Sequence, residues 1–123
     1  MRAERAPAAP GPLVQGFAGR GFRIGGQSYA GALLTPETVQ AWAPPALADL
    51  GEADVAPLLA LGPAPEFLLL GTGAILAFPP RAFVAALEAK GIGVEAMDSR
   101  AAARTWGVLR GEGRWIAAAL MPL

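Results

Sequence analysis

The chain contains no cysteine and no histidine, and its single lysine is Lys90. Without cysteine there is no thiol nucleophile, zinc finger, iron–sulfur ligation or disulfide framework. Without histidine there is no imidazole base, metal ligand or pH switch. The ten Lys and Arg are balanced by ten Asp and Glu, so no overall basic field draws the protein to nucleic acid or anionic lipid. Hydroxyl groups such as Ser28, Ser99 and Tyr29 have no imidazole partner to activate them, and Lys90 stands at an expected helix end, where it serves the helix dipole. Asp98 and Glu112 fall at opposite ends of one expected helix, too far apart to share a substrate proton. These absences predict no catalytic residue, no cofactor and no metal site.

Long uninterrupted apolar runs are lacking too. Between residues 55 and 80 the only charge is Glu66, but Pro57, Pro63 and Pro65 and three glycines break the stretch. A bilayer span needs about 20 residues of internally satisfied helix. The segment therefore reads as a buried helix, a turn and a buried strand, with no transmembrane helix.

What the chain has in quantity is alanine, 28 residues of 123, with 16 glycines and 12 prolines. Its length suits one domain with its own core. The opening "MRAERAPAAPGP" lacks the apolar centre of a signal peptide and predicts a flexible arm over 1–12, followed by a domain at 13–123. Cysteine-free composition fits a soluble cytoplasmic protein.

Residues 13–34 predict short strands joined by tight turns at Gly19, Gly21 and Gly25-Gly26, because glycine supplies the positive φ of hairpins. A further strand is expected over 39–42. Asp54 is the expected N-cap of a short helix that runs to Leu61 and is closed by Gly62. The continuous apolar run "EFLLLG" suits a strand covered on both faces. A helix follows Pro79-Pro80 and stops at Gly91. "IGVEAM" reads as strand, 98–110 as helix and "RWIAAALM" as a last strand. The fold class is thus mixed α/β (α+β): a single-domain mixed β-sheet with amino-terminal antiparallel hairpins and a β-α-β-α-β second half, its helices packed on the sheet.

Two motifs stand out. Gly71-Thr72-Gly73 ends the buried strand, where open α/β sheets place ligands. Leu76 occupies the third glycine position of a dinucleotide fingerprint, and the next helix begins too late to meet a pyrophosphate. The glycines then serve a tight turn and close backbone approach. In "MDSRAAARTW", Asp98 or Ser99 can cap the helix, and Ala101, Ala102, Thr105, Val108 and Leu109 form the expected inward stripe. Arg100 and Arg104 share another face, Arg100 solvated and Arg104 bracing the corner through Asp98 or Glu95 or, alternatively, holding an anion. Trp42, Trp115 and above all Trp106 are either packing residues or partner anchors.

The combination of "LLLGTG", "FPP" opening a helix, "GIGVEAMDSRAAARTWGVLRGEGRWIAAAL" and the hairpin from Gly21 resembles the Mth938-like domain family over residues 13–121. That family includes a mitochondrial respiratory complex I assembly factor and an adipogenesis-associated protein. Met97, Asp98, Ala102, Arg104 and Thr105 match its pattern. Ser99 replaces a threonine, Trp106 a smaller aromatic and Gly107 a common asparagine. The resemblance implies a mixed sheet flanked by helices and no established enzymatic activity.

The expectation is a non-catalytic protein-interaction or assembly accessory, by analogy in complex I biogenesis. Gly71, Thr72, Gly73, Asp98, Ser99, Arg104, Thr105 and Trp106 form its docking corner. The rival is a small-molecule module or weak enzyme that binds an anionic metabolite between the 71–73 turn and Arg104. Partners are proteins rather than nucleic acid, membrane association runs only through a partner, and the chain is a monomer or weak dimer.

Overall fold

The computed structural model describes residues 11–123. Most of the expected 1–12 arm lies outside the described residues. Pro12, at its end, is fixed by a hydrogen bond that its carbonyl accepts from the Trp106 indole N–H at 2.8 Å.

The amino-terminal hairpins divide between two sheets. β1 (Val14–Ala18), β2 (Gly21–Ile24) and β3 (Gln27–Tyr29) form a small antiparallel sheet in that order. Gly25 and Gly26 both have positive φ, 61° and 80°, which is the mirror-image turn that matches strand twist. β4 (Ala32–Leu34) and β5 (Val39–Ala41) join the main sheet instead. There they meet β6 (Phe67–Gly71), β7 (Gly93–Met97) and β8 (Ala117–Leu120) in the order β5-β4-β8-β6-β7. β6 runs parallel to both its neighbours, β7 and β8. The connecting helices are α2 (Arg81–Glu88) and α3 (Ser99–Gly111), and a short α1 (Ala56–Leu59) precedes β6.

Alternation along the central strands builds two cores. Leu68 and Leu70 of β6, with Ala117 and Ala119 of β8, face Phe83 and Leu87 of α2 and Leu58 of α1. Leu69, Ala118 and Leu120 face the other way, onto Trp106 of α3 and Phe22 and Ile24 of the small sheet. That two-sided burial is why β6 reads as an unbroken apolar run. The three alanines of β8 leave room for layers on both faces. Gly91, at φ 80°, closes the α2 turn as expected.

Three local expectations are corrected. Asp54 is not an N-cap: it lies inside a 3-10 turn, Glu52–Val55, and its carboxylate reaches back to accept the Gly51 N–H at 2.8 Å. The chain also leaves the helix at Ala60, before Gly62. The inward stripe of α3 is displaced from its expected place: Ser99, Ala102, Ala103, Trp106 and Arg110 are buried, whereas Val108 is 61% exposed. The largest side chain decides the rotation, because turning Trp106 inward removes more apolar area from water than burying Val108 would. The adjacent Ala102 and Ala103 let the helix approach the sheet.

Candidate functional site

The 71–73 turn is a closed structural joint. A Cβ on Gly71 would lie 2.7 Å from Ser99 Oγ and 2.9 Å from Ser99 Cα, so only glycine lets β6 pass this close to the start of α3. Ser99 is fully buried; its hydroxyl accepts the Gly73 N–H and donates to the Met121 carbonyl, both at 2.8 Å. The Ser99 N–H donates to the Gly73 carbonyl, also at 2.8 Å. Asp98 is the N-cap of α3, its Oδ1 accepting the Ala101 N–H at 2.9 Å. The Thr72, Gly73, Ser99 and Ala101 N–H groups at this corner are therefore already engaged within the chain.

Thr72 carries the joint outward. Its N–H donates to the Met97 carbonyl at 2.9 Å. Its hydroxyl donates to the Ile75 carbonyl at 2.7 Å and accepts the Ala77 N–H at 3.1 Å. One side chain thus fixes the loop over 72–77. What the loop presents is apolar: Ile75 is 75% exposed, Leu76 53% and Phe78 85%. The expectation of burial through to residue 80 fails here. The missed signal was three large apolar residues with neither helical nor strand periodicity, confined between a glycine turn and Pro79-Pro80.

Beside this loop, Phe78 and Pro79 open onto a trough of about 590 Å3 between α2 and β7, with Val84, Ala85, Val94 and Ala96 along its walls and Arg81 and Glu88 among its lining residues. β7 is the terminal strand of the sheet.

The other expected site residues scatter. Arg104 is exposed and lines a separate cavity of about 220 Å3 with Val14, Gln15, Gly16 and Phe17 of β1. It lies six residues, about 9 Å of helix rise, beyond Asp98. It makes no ion pair with Asp98 or Glu95, so the bracing role is corrected: the helix carries Arg104 toward the small sheet, away from the corner. Arg100 is not simply solvated; its guanidinium lies 5.5 Å from the Phe17 ring centroid. Trp106 is 0% exposed and therefore no surface anchor. Thr105 is half-buried on the same helix. Trp42 is buried with its indole donating to the Asp54 carbonyl, and the half-buried Trp115 donates to the Pro63 carbonyl.

A short surface ion pair lies elsewhere. Arg114 Nε and Nη2 both donate to Glu66 Oε1, at 3.0 and 2.8 Å. The Arg114 hydrogen bonds hold the Glu66 carboxyl below its ordinary range, and the same contact raises the Arg114 guanidinium. This pair ties the entry of β6 to the entry of β8. Among the described residues no group of three or more acidic side chains is placed to hold a metal ion, and no helix is long and apolar enough to cross a membrane.

Comparison with known proteins places this geometry in a family. A family model described as a protein of unknown function (DUF498/DUF598) matches residues 14–121. An uncharacterized protein of Rhodobacter capsulatus is 37% identical over 123 residues, covering 98% of this chain and 94% of its own length. NADH dehydrogenase [ubiquinone] 1 alpha subcomplex assembly factor 3 of Danio rerio is 33% identical over 117 residues, 94% of this chain and 67% of that protein. For the Homo sapiens assembly factor the figures are 31% over 116 residues, 94% and 63%. A crystal structure from Bordetella parapertussis superposes with TM-score 0.83 at 34% identity, covering 95% of this chain and all of the other. The solution structure of a Mth938-like domain from Bordetella pertussis gives TM-score 0.79 at 29% identity, with 99% and 92% covered. The chain belongs to this DUF498/DUF598 family of Mth938-like domains.

Proposed function

We propose that the protein is a non-catalytic assembly accessory that docks a partner protein through the loop over 74–78 and the adjoining α2–β7 trough. The observation that carries this reading is the exposure of Ile75, Leu76 and Phe78 together on one loop, held in shape by the Thr72 hydrogen bonds. Contiguous exposed apolar side chains mark interaction sites, and aromatic anchors supply most of the affinity there. Likeness to proteins named as NADH dehydrogenase assembly factors supports the same role. In its finer form, the partner is a subunit of a respiratory NADH dehydrogenase, the protein works in the cytoplasm, and any membrane contact is made through that partner.

The test is co-purification from the native cell after mild crosslinking, read by mass spectrometry. Wild type is compared with an Ile75→Ser/Phe78→Ser double variant and with Arg104→Lys. Respiratory-complex subunits are expected with wild type and Arg104→Lys and lost from the double variant. Loss with Arg104→Lys alone would return docking to the arginine face. No enrichment in any sample would remove the assembly reading.

A further inference from the structure

We propose that the free edge of β7 receives an extended, basic segment of the partner protein, which adds to the main sheet as a sixth strand. This rests on the docking reading above and names the chemistry of what docks.

β7 pairs with β6 in an unbroken register from Phe67↔Gly93 to Gly71↔Met97, and among the described residues no strand lies on its other side. The Met97 carbonyl points toward β6, where it accepts the Thr72 N–H. Backbone groups alternate sides along a strand, so Gly93 and Glu95 also address β6. The N–H and C=O groups of Val94 and Ala96 then face outward. Edges left open in this way are usually protected by proline, lysine or a bulge. β7 has no proline, lysine or bulge; its one charge, Glu95, projects from a face of the sheet and leaves the outward N–H and C=O groups of Val94 and Ala96 as a template for strand addition.

Side-chain placement makes the edge selective. Val94 and Ala96 line the trough, so a strand laid beside them directs every second side chain into the same trough, against Phe78, Val84 and Ala85. The intervening side chains lie on the other face, level with exposed Glu95. Glu88 lines the trough itself together with Arg81, seven residues before it on α2, so the trough face carries one charge of each sign and Glu95 alone sets the preference on the other face. A lysine or arginine across from Glu95 is favoured, and an acid there is repelled. That same charge argues against a second copy of this chain: antiparallel pairing of two β7 strands centred on their middle residue sets Glu95 against Glu95. The occupant is therefore an extended segment with apolar residues toward the trough and basic residues on the opposite face.

The probe is a capped heptapeptide that alternates valine and lysine, with a valine/glutamate peptide as its control. Both are titrated into the full-length 15N-labelled protein, followed by amide hydrogen exchange. The valine/lysine peptide is expected to slow exchange at Val94 and Ala96 and to leave Glu95, already paired with β6, little changed. Ala96→Pro, which deletes one outward N–H, is expected to abolish that protection. Glu95→Lys leaves the backbone intact and is expected to weaken the lysine peptide about tenfold while admitting the glutamate peptide.

Equal binding of both peptides to wild type would overturn the proposal, as would shifts confined to other surfaces. Concentration-dependent protection of Val94 and Ala96 without peptide would also overturn it, by naming a second copy as the occupant. Partner capture that depends on Phe78 without edge protection refutes the added strand alone. Edge protection without any captured respiratory subunit refutes the assembly reading alone.

Discussion

Within ten residues, from Gly71 to Pro80, the chain builds two surfaces of opposite character. At Gly71, Gly73 and Ser99 the backbone is packed too tightly for a β-carbon at position 71, and the buried Ser99 hydroxyl is satisfied on both sides, by the Gly73 N–H and the Met121 carbonyl. Two to five residues beyond Gly73, Ile75, Leu76 and Phe78 stand in solvent. The first surface looks like a ligand site in sequence, because glycines at a strand end next to a helix start are how phosphates are cradled. Here the same features are consumed by the fold: the serine of the helix start plugs the space a ligand would fill. The second surface has no chemical motif at all, yet it is where the molecule leaves apolar area uncovered. Closure at the joint and exposure on the loop are linked through Thr72, whose hydroxyl shapes the loop from the edge of the joint.

The largest effect that would break this contrast comes from Trp106. Truncation to alanine empties a fully buried site and strands the Pro12 carbonyl, so Trp106→Ala is expected to lose about 3–5 kcal/mol in urea unfolding. Phe78→Ala is expected to stay within about 0.5 kcal/mol of wild type. The reverse pattern would mean that the loop is part of the core and that the helix face is free.

Gly71→Ala sharpens the contrast at the joint itself. Its new methyl meets Ser99 Oγ and Cα and Leu120 Cδ2 inside 3.1 Å, and overpacking of this kind costs about 1–3 kcal/mol. Gly107 in α3 has nothing within 4 Å of an added methyl, so Gly107→Ala is expected to gain about 0.8 kcal/mol from helix propensity. Equal losses at both positions would show that the joint has no special closeness.

The contrast also explains what was legible in the sequence. Periodicity and punctuation are local, so the order of strands and helices, the hairpin turns at Gly19 and Gly25-Gly26 and the β-α-β-α-β half could be read directly, whereas Gly21 is the first residue of β2, close against the Tyr29 backbone, rather than a turn residue. The helix cap at Asp98 was equally local. The orientation of α3 was not, because alanines on several faces leave the stripe ambiguous by one position. Only packing against Phe22 and Ile24 of the small sheet decides that Trp106 turns inward. The fate of Arg104 followed from that error. The exposed loop was missed for a different reason: apolar side chains in a short aperiodic stretch signal burial by default, and exposure is a property of what fails to cover them.

A smaller effect tests whether the entry to the central strands is held electrostatically. Glu66 has its carboxyl pKa lowered in the fold, first by the Arg114 hydrogen bonds. A depressed carboxylate contributes stability above its unfolded pKa, and that contribution fades as pH falls through the folded value. Glu66→Gln is therefore expected to be less stable than wild type at neutral pH, with the difference shrinking as pH drops below the ordinary carboxylate range. Both side chains are largely solvent-exposed, so the difference is small and salt reduces it. A difference that grows with acidity would assign the stabilisation to another group.

The smallest expected effect is the one at Arg104. A buried, paired arginine at the joint would cost more than about 2 kcal/mol on truncation, because its partner would be left uncompensated. An exposed arginine beside β1, with no ion pair among the described residues, has no such partner to strand. Arg104→Ala is expected to leave the unfolding midpoint within about 0.5 kcal/mol of wild type. Arg100, whose guanidinium covers the Phe17 ring on the same helix, should cost somewhat more, because its truncation uncovers that ring. If Arg104→Ala instead unfolds the protein, the joint reaches a full turn further along α3 than its hydrogen bonds show. The loop would then stand on a wider closed base than Thr72 and Ser99 provide.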